Sequence, residues 1–357
     1  MPRHSYRKSG WIKLQVLSKD TALRWILLFI KKTKKGAAIP PCPEGRGIRA
    51  VEKMKKPLKI LIYVSVFFML NAACKKLTDN FSTNHLIKPA SQDSKWNLHQ
   101  DSLLSSTALK QTYKYLDKGK QAHVFISEDG QHILKLLKPA HPHFAISILS
   151  KSYSIGLSTL PFAQSLSSFF YEKKQNEQRD LDFLSYTNSF NLLKEETELE
   201  YLHLAETDHL QQKLTIYDKI GVLHTLDLDK TCFILQKKAD LLYPTLAALI
   251  LKNELEKAKI LIDNFVHLSF QFIDKDIVNP TTIEKNFGCI GLKPVQIDVG
   301  RVLTALDLGK TPRIEPEHIY RSTRHMKKWL TVKSPPLCQY LEESIEVRKK
   351  KYQETNS

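Results

Sequence analysis

Cysteine is scarce in this sequence, and the cysteines that are present lie far apart. The 357 residues include five of them, Cys42, Cys74, Cys232, Cys289 and Cys338. No two have the short spacing of a zinc site, and together they form no disulfide framework. The sequence therefore gives no indication of a cysteine metal centre or of a fold that depends on disulfide bonds.

Acidic residues are scarce near the N-terminus but not elsewhere. The chain has 54 Lys and Arg against 37 Asp and Glu, a formal net charge of +17. Residues 1–53 hold thirteen of the basic residues against three acidic ones, and residues 54–76 add five lysines and no acid. The net charge of the rest of the chain is therefore close to +2. Such a balance does not predict a basic groove, so nucleic acid is not an expected partner.

Long apolar runs are also missing. The longest run, residues 60–70, has eleven residues, whereas a transmembrane helix needs about twenty. Basic residues precede this run and Asn71-Ala72-Ala73-Cys74 follows it, so residues 54–74 have the outline of a signal peptide. A cysteine after two alanines resembles a bacterial lipoprotein signal, in which Cys74 would carry the lipid. An uncleaved membrane anchor and a buried helix are the alternatives.

The position of this signal leads to three further expectations. A signal peptide begins at an N-terminus, so we expect Met54 to be the true start and residues 1–53 to be a basic extension. Residues 75–111 are mostly polar and lack periodicity, which predicts a tether. A cleaved signal would place the body in the cell envelope or export it as a lipoprotein. An uncleaved anchor would keep it on the cytoplasmic face of the membrane.

Residues 113–138 are typical of three short strands joined by turns. The Asp-Gly pair at 129–130 stands between two β-prone runs and is a strong hairpin signal. In the third strand Lys135 lies between two leucines, so its side chain points to the opposite face from theirs. A lysine at such a position either extends to water or serves a phosphate group.

A second informative stretch, residues 286–301, reads as two apolar runs joined by a turn. It begins with Asn286 and ends with Asp298-Val299-Gly300. The carboxylate of Asp298 can reach a ligand beyond the edge of the sheet, and Asn286 can reach the same place from the paired strand. Such oxygen ligands suit Mg²⁺, which is commonly held by one or two protein groups and substrate phosphates. A plain hairpin whose polar residues cap turns is the alternative.

Together these two stretches resemble the protein-kinase-like superfamily, over about residues 112–331. The first carries a pattern similar to the glycine-rich loop and the lysine strand: Leu116, Gly119, Ala122, Val124-Phe125 and Ile133-Leu134-Lys135. In the second, Asn286 and Asp298-Val299-Gly300 resemble the metal-binding Asn and the Asp-Phe-Gly element. The chain also resembles a bacterial conserved family of unknown function.

The resemblance implies an α+β fold of two lobes. Residues 112–239 would form a β domain like the kinase N-lobe, with one long helix over residues 165–194. Residues 240–357 would form a mainly helical domain like the C-lobe, with the metal-site hairpin. A glutamate of the long helix would pair with the lysine of the third strand. Glu177 is the preferred candidate, and the alternatives are Asp182, Glu195 and Glu196.

ATP and Mg²⁺ are the ligands that the resemblance implies. Lys135 and Gly119 would bind the nucleotide, while Asn286 and Asp298 would hold the metal ion. The glycine-rich loop is depleted, because Gly119 is the only glycine at the three expected positions. Asp117 and Ala122 occupy the other two.

The catalytic base is the weakest part of the resemblance. Protein kinases place an aspartate five residues before the metal-binding asparagine, and Thr281 stands there in this chain. A longer loop could bring Asp276 or Asp274 back to the site at little entropic cost. Otherwise the chain has no base.

Three functions follow as hypotheses. The first is a phosphotransferase in which Asp276 orients a hydroxyl acceptor, which could belong to a protein, a sugar, a lipid or a small molecule. The second is a pseudokinase, a catalytically inactive binding module with the same fold. The third is a structural lipoprotein whose resemblance to kinases is accidental.

Overall fold

The computed structural model describes residues 56–98, 107–139, 161–277, 284–309 and 319–356. They divide into two compact units. The first contains residues up to 81 together with 217–224, and the second contains residues 82–216 and 225–357. Residues 1–53 and Thr281 lie outside the described residues, so the expectations about them stay expectations.

The first unit contains helix α1, Lys56–Leu77. Its apolar side chains Ile60, Phe68 and Met69 are more than 60% exposed, and Cys74 is an exposed free thiol. Among the described helices, none combines the length and the hydropathy that crossing a membrane requires. Beyond the helix, Lys219 forms an ion pair of 2.8 Å with Asp79.

Most of the second unit's strands belong to a seven-stranded sheet in the order β4-β7-β3-β2-β1-β5-β6, in which residues 217 and 223–224 are counted with the first unit. The strands are β1 Tyr113–Lys118, β2 Ala122–Ser127, β3 His132–Leu137, β4 Leu199–His203, β5 Lys213–Tyr217, β6 Leu223–Asp227 and β7 Phe233–Lys237. The first three form antiparallel pairs in sequence, and β7 pairs antiparallel with both β3 and β4. Strands β1 to β3 agree with the sequence prediction.

The predicted Asp-Gly hairpin joins β2 and β3. Gly130 has a φ of +71°, a left-handed conformation that glycine adopts without strain. The Asp129 carboxylate accepts hydrogen bonds from the Ser127 hydroxyl at 2.6 Å and from the Gln131 N–H at 2.9 Å. These bonds lower the pKa of Asp129 to about 2. The turn therefore sets the pairing of β2 with β3, which carries Lys135.

The long helix α2, Pro161–Leu192, begins four residues before the predicted start. Phe183, Tyr186 and Phe190 repeat at steps of three and four residues, and all three are buried as the pattern predicts. They belong to a core with Leu199, Leu202 and Ile234 of the sheet. A short helix, α3 Lys194–Thr197, then leads into β4.

The prediction of a tether over residues 75–111 is wrong for part of this segment. The Ile87 N–H donates to the Leu137 carbonyl at 2.9 Å, and Ala90 forms a parallel bridge with Ala205. Trp96 is buried, and its ring packs edge-to-face against Phe183 at 5.6 Å. Backbone hydrogen bonds and two large apolar side chains hold this otherwise polar stretch in place.

The remainder of the second unit is mainly helical, with a small sheet. Its elements are β8 Asp240–Leu241, α4 Leu242–Leu251, α5 Leu255–Asp274, β9 Phe287–Ile290, β10 Lys293–Gln296, α6 Ile319–Lys333 and α7 Pro335–Asn356. The three strands lie in the order β10-β9-β8, and β9-β10 is the predicted antiparallel hairpin. Phe265 of α5 packs edge-to-face against Phe287 of β9 at 5.1 Å. The α+β class is thus confirmed.

Candidate functional site

Lys135 lies on β3 and reaches from the large sheet to the end of the small one. Its ammonium group donates to the Gln236 side-chain oxygen at 2.6 Å and to the carbonyl oxygen of Ile297. Ile297 directly precedes Asp298, so the lysine strand and the hairpin exit meet. Burial lowers the pKa of Lys135 to about 8, and the negative charge of Asp298 partly opposes this shift.

Asp298 occupies the exit of the β9-β10 hairpin, and its side chain is exposed. One carboxylate oxygen accepts a hydrogen bond of 3.2 Å from the Gly300 N–H. Asn286 lies directly across the hairpin, because its carbonyl oxygen accepts the Ile297 N–H at 2.8 Å and the Asp298 N–H at 3.4 Å. The residue pair proposed to hold a metal ion is therefore adjacent, with Asn286 buried and Asp298 facing solvent.

The donor set fits Mg²⁺ that is bound together with phosphates. Within the described residues, no cluster of three or more His, Cys, Asp or Glu side chains could hold a metal ion. A carboxylate and an amide are too few for a calcium cage of six to eight oxygens, whereas Mg²⁺ commonly uses one or two protein groups and completes its shell with water and phosphate. Asp298 and Asn286 are the residues that would hold it.

Helix α2 contacts the hairpin exit through a row of polar side chains. The Ser185 hydroxyl donates to the Val299 carbonyl at 2.9 Å and accepts the Val302 N–H at 2.6 Å. The Asn188 side chain donates to the Val302 carbonyl at 3.2 Å and to the Asp307 carboxylate at 2.7 Å. The segment after Asp298 is consequently fixed to the helix by side-chain hydrogen bonds.

Asp182, and not Glu177, is the buried carboxylate of helix α2. It accepts hydrogen bonds of 2.9 Å from the side-chain amides of Gln121 and Gln178. Burial raises the pKa of Asp182, and the two amide donors and the charge of Arg301 oppose that shift. Glu177 is exposed, so the pairing of Lys135 with Glu177 that we favoured from the sequence is absent from the described contacts.

The loop between β1 and β2, which corresponds to the depleted glycine-rich loop, is hydrogen-bonded to Asp182 through Gln121. Gly119 is exposed, and its N–H donates to the Ala122 carbonyl at 2.9 Å. Gln121, two residues further on, extends to Asp182 and passes so close to Gly300 that a Cβ atom at residue 300 would overlap its side-chain amide. The glycine at position 300 therefore allows the loop and the hairpin exit to touch.

Asp274 and Asp276 interact with the C-terminal helix in the described structure. Burial raises the pKa of the Tyr352 phenol, and the negative charges of both aspartates add to that shift. Burial also raises the pKa of Asp274, against the charge of Arg348. Asp276 has a φ of +52° because it terminates helix α5: its N–H donates to the Ile273 carbonyl at 2.9 Å, and the Ile277 N–H donates to the Phe272 carbonyl at 2.9 Å.

Residues 239–240, where the chain passes from β7 to β8, approach β9 very closely. A Cβ atom at Gly288 would lie 2.8 Å from the Ala239 Cβ and 2.9 Å from the Asp240 carbonyl oxygen. It would also lie 3.1 Å from the Ile297 side chain. These contacts fit the pairing of β8 with β9, and they leave no room for a side chain at position 288.

Three contributors to this site escaped the sequence prediction: Gln236, Gln121 and Ser185. Gln236 ends an apolar run in β7, and a polar residue at a buried position is the signal that could have identified it. Ser185 lies on the buried face of α2, between Phe183 and Tyr186. Gln121 carried no signal, because a glutamine in a turn is commonly solvated.

The chain matches no protein-family model, and no curated protein matches it in sequence.

Proposed function

We propose that this chain is a membrane-associated, kinase-like protein that binds a Mg²⁺–nucleotide between Lys135 and Asp298. The observation that carries the proposal is the hydrogen bond from Lys135 to the Ile297 carbonyl, which joins segments 162 residues apart. It puts an ammonium group beside a solvent-facing carboxylate. Phosphate binding with Mg²⁺ requires this combination, since the ammonium pairs with the α- and β-phosphates and the carboxylate holds the ion.

The arrangement of elements supports a kinase-like fold of two lobes. The seven-stranded sheet and helix α2 lie within the N-lobe-like range of 112–239, and helices α4 to α7 lie in the C-lobe-like range of 240–357. Lys135 comes from the first range, while Asn286 and Asp298 come from the second. The nucleotide would therefore bind where the two ranges meet.

In the active form of this proposal the protein transfers a phosphoryl group to a hydroxyl acceptor. The bond between the γ-phosphorus and the β–γ bridging oxygen breaks, a bond to the acceptor oxygen forms, and the acceptor proton passes to Asp276. Mg²⁺ would neutralise charge on the phosphates.

A pseudokinase is the second candidate, and two observations favour it. Thr281 stands where protein kinases have the catalytic aspartate, and Gly119 is the only glycine at the three expected positions of the glycine-rich loop. Such a protein would bind a nucleotide weakly or not at all, and it would present its surface to a protein partner.

The first experiment measures the melting temperature of the full chain with and without Mg²⁺ and ATP. We expect ATP with Mg²⁺ to raise the melting temperature by several degrees, and Lys135→Ala to abolish the shift. Asp298→Asn should keep only the shift that ATP produces without Mg²⁺. The matched control is Lys237→Ala on strand β7, whose ammonium pairs with Glu198 and which should respond as the unchanged chain does. An unchanged melting temperature at millimolar ATP would overturn the proposal.

A second experiment separates the two candidates. The full chain is incubated with Mg²⁺ and ATP labelled in the γ-phosphate, and label that appears on protein, lipid or water is counted. The active form predicts transfer that Asp276→Asn lowers at least a hundredfold, with the ATP-induced thermal shift retained. Nucleotide binding without transfer would leave the pseudokinase.

Membrane association rests on helix α1 and Cys74. The exposed apolar side chains of the helix would lie against lipid, and acylation of the Cys74 thiol would add an anchor. Mass spectrometry of the protein from its natural membrane tests this: a lipid-modified N-terminal Cys74 is expected, and peptides from residues 1–73 would exclude processing there.

A further inference from the structure

Gln236 is a buried polar residue that follows three apolar residues in strand β7. Phe233, Ile234 and Leu235 precede it in β7, and all of them are buried. The glutamine is only 2% exposed. A buried side-chain amide is costly unless its donors and its acceptor are paired, so its neighbours show what the glutamine does.

The neighbours determine the orientation of the amide without ambiguity. Its nitrogen donates to two backbone carbonyl oxygens, those of Thr197 at 2.5 Å and Gln296 at 3.1 Å. Its oxygen faces the ammonium group of Lys135 at 2.6 Å. An ammonium group has no acceptor and a carbonyl has no donor, so the reversed amide would lose all three bonds.

This leaves the lysine with a defined position and a free proton. Among the described residues, Lys135 has two hydrogen-bond acceptors, Gln236 and the Ile297 carbonyl, and it forms no ion pair. An ammonium group has three protons. Two of them hold the group in place, and the third is available to a phosphate oxygen.

The helix carboxylate that could have taken this role is used elsewhere. Asp182 accepts from Gln121 and Gln178, which ties helix α2 to the loop between β1 and β2. The lysine and the helix aspartate therefore each bind a glutamine and do not bind each other. As a result, no hydrogen bond among the described residues joins Lys135 to helix α2.

We propose that Gln236 is the positioning residue for Lys135: it holds the ammonium group at the phosphate site from within the sheet, in place of a carboxylate from helix α2. This rests on the proposed nucleotide function, but the contact itself is measurable without a nucleotide.

The test records the side-chain nitrogen signal of Lys135 by NMR in the full chain labelled with ¹⁵N-lysine, first without nucleotide. Lys135→Arg identifies the signal by its disappearance. We expect Gln236→Met, which keeps the shape but has no strong acceptor, to shift this signal and to speed the exchange of its protons at least tenfold. Gln236→Glu keeps an acceptor for Lys135 but loses the donors to the Thr197 and Gln296 carbonyls, so its exchange should be slower than in Gln236→Met.

The matched controls are Asp182→Asn and Glu177→Gln on helix α2, which should leave the signal unchanged. A signal that is indifferent to Gln236→Met, or that moves as far with either helix variant, overturns the inference. If Gln236→Met does not fold, slow exchange in Gln236→Glu and in both helix variants still supports the inference, and fast exchange in Gln236→Glu contradicts it.

ATP binding is measured in a separate experiment, in which Gln236→Met should weaken the binding about tenfold. Failure of the unchanged chain to bind ATP would sink the proposed function and leave the NMR result intact.

Discussion

The hydroxyl group of Ser185 bridges the Val299 carbonyl and the Val302 N–H, with hydrogen bonds of 2.9 and 2.6 Å. One side chain of helix α2 thus closes the turn that follows Asp298. The three residues are buried, so neither backbone group has water as an easy substitute. The position of the candidate metal ligand depends on this bridge.

Ser185→Ala should destabilise the second unit by about 1–3 kcal/mol, because it leaves a buried N–H without its acceptor and weakens the bonding of a buried carbonyl. Urea unfolding monitored by circular dichroism measures this loss. Ser269→Ala is the matched control, since its hydroxyl donates only to the Phe265 carbonyl of its own helix and its loss should cost about 1 kcal/mol or less. Equal losses for the two variants would contradict the proposed role of the bridge.

Lys135→Met should make the dependence of stability on pH weaker in the alkaline range. The pKa of Lys135 is about 8 in the folded chain against an ordinary value of 10.5. Between these two pH values the unfolded chain therefore binds more protons than the folded chain. The free energy of unfolding consequently increases as the pH rises from about 8 to 10.5. The gain is about 3 kcal/mol. It should disappear in the methionine variant.

The comparison of the two chains across this pH range isolates Lys135 from the tyrosines that titrate there. Lys237→Met is the control, because Lys237 is exposed and its hydrogen bond to Glu198 raises its pKa. Its removal should not abolish the alkaline gain. Parallel curves for the unchanged chain and Lys135→Met would show that burial does not lower the pKa of this lysine.

Gly288→Ala should destabilise the protein by about 1–3 kcal/mol, since the added methyl group would overlap the Asp240 backbone and the Ala239 side chain. Thermal unfolding measures this cost. Gly119→Ala is the control, because the nearest atom to its added Cβ is the Ala122 carbonyl oxygen at 3.6 Å, an ordinary contact. If alanine were tolerated at position 288, β9 would have to lie further from residues 239–240 than the structure places it.

Much of the local structure could be predicted from the sequence, because it depends on short-range patterns. The Asp-Gly turn, the helical spacing of Phe183, Tyr186 and Phe190, and the β9-β10 hairpin each follow from residues a few positions apart. These patterns also place Lys135 on the correct strand. They could not identify its partner, because Gln236 is 101 residues away in sequence.

The missed features depend on contacts between distant segments. Gln121 meets Asp182 across 61 residues, and Ser185 meets Val299 across 114. No periodicity encodes such pairs. The order of segment 82–98 was missed for a related reason, because its few apolar residues, among them Ile87 and Trp96, follow no helical or strand period in a mostly polar stretch. Both are buried because they pack against residues from distant parts of the chain, such as Leu137 and Phe183.

Trp96→Ala should destabilise the second unit by about 3–5 kcal/mol, because it removes a buried aromatic side chain that packs against Phe183 of helix α2. Urea unfolding of the full chain measures the loss. Lys95→Ala is the matched control: its ammonium group lies 4.5 Å from the centre of the Trp96 ring, and removing it should cost about 1 kcal/mol or less. If residues 82–98 were a tether, both variants would unfold at the same urea concentration as the unchanged chain.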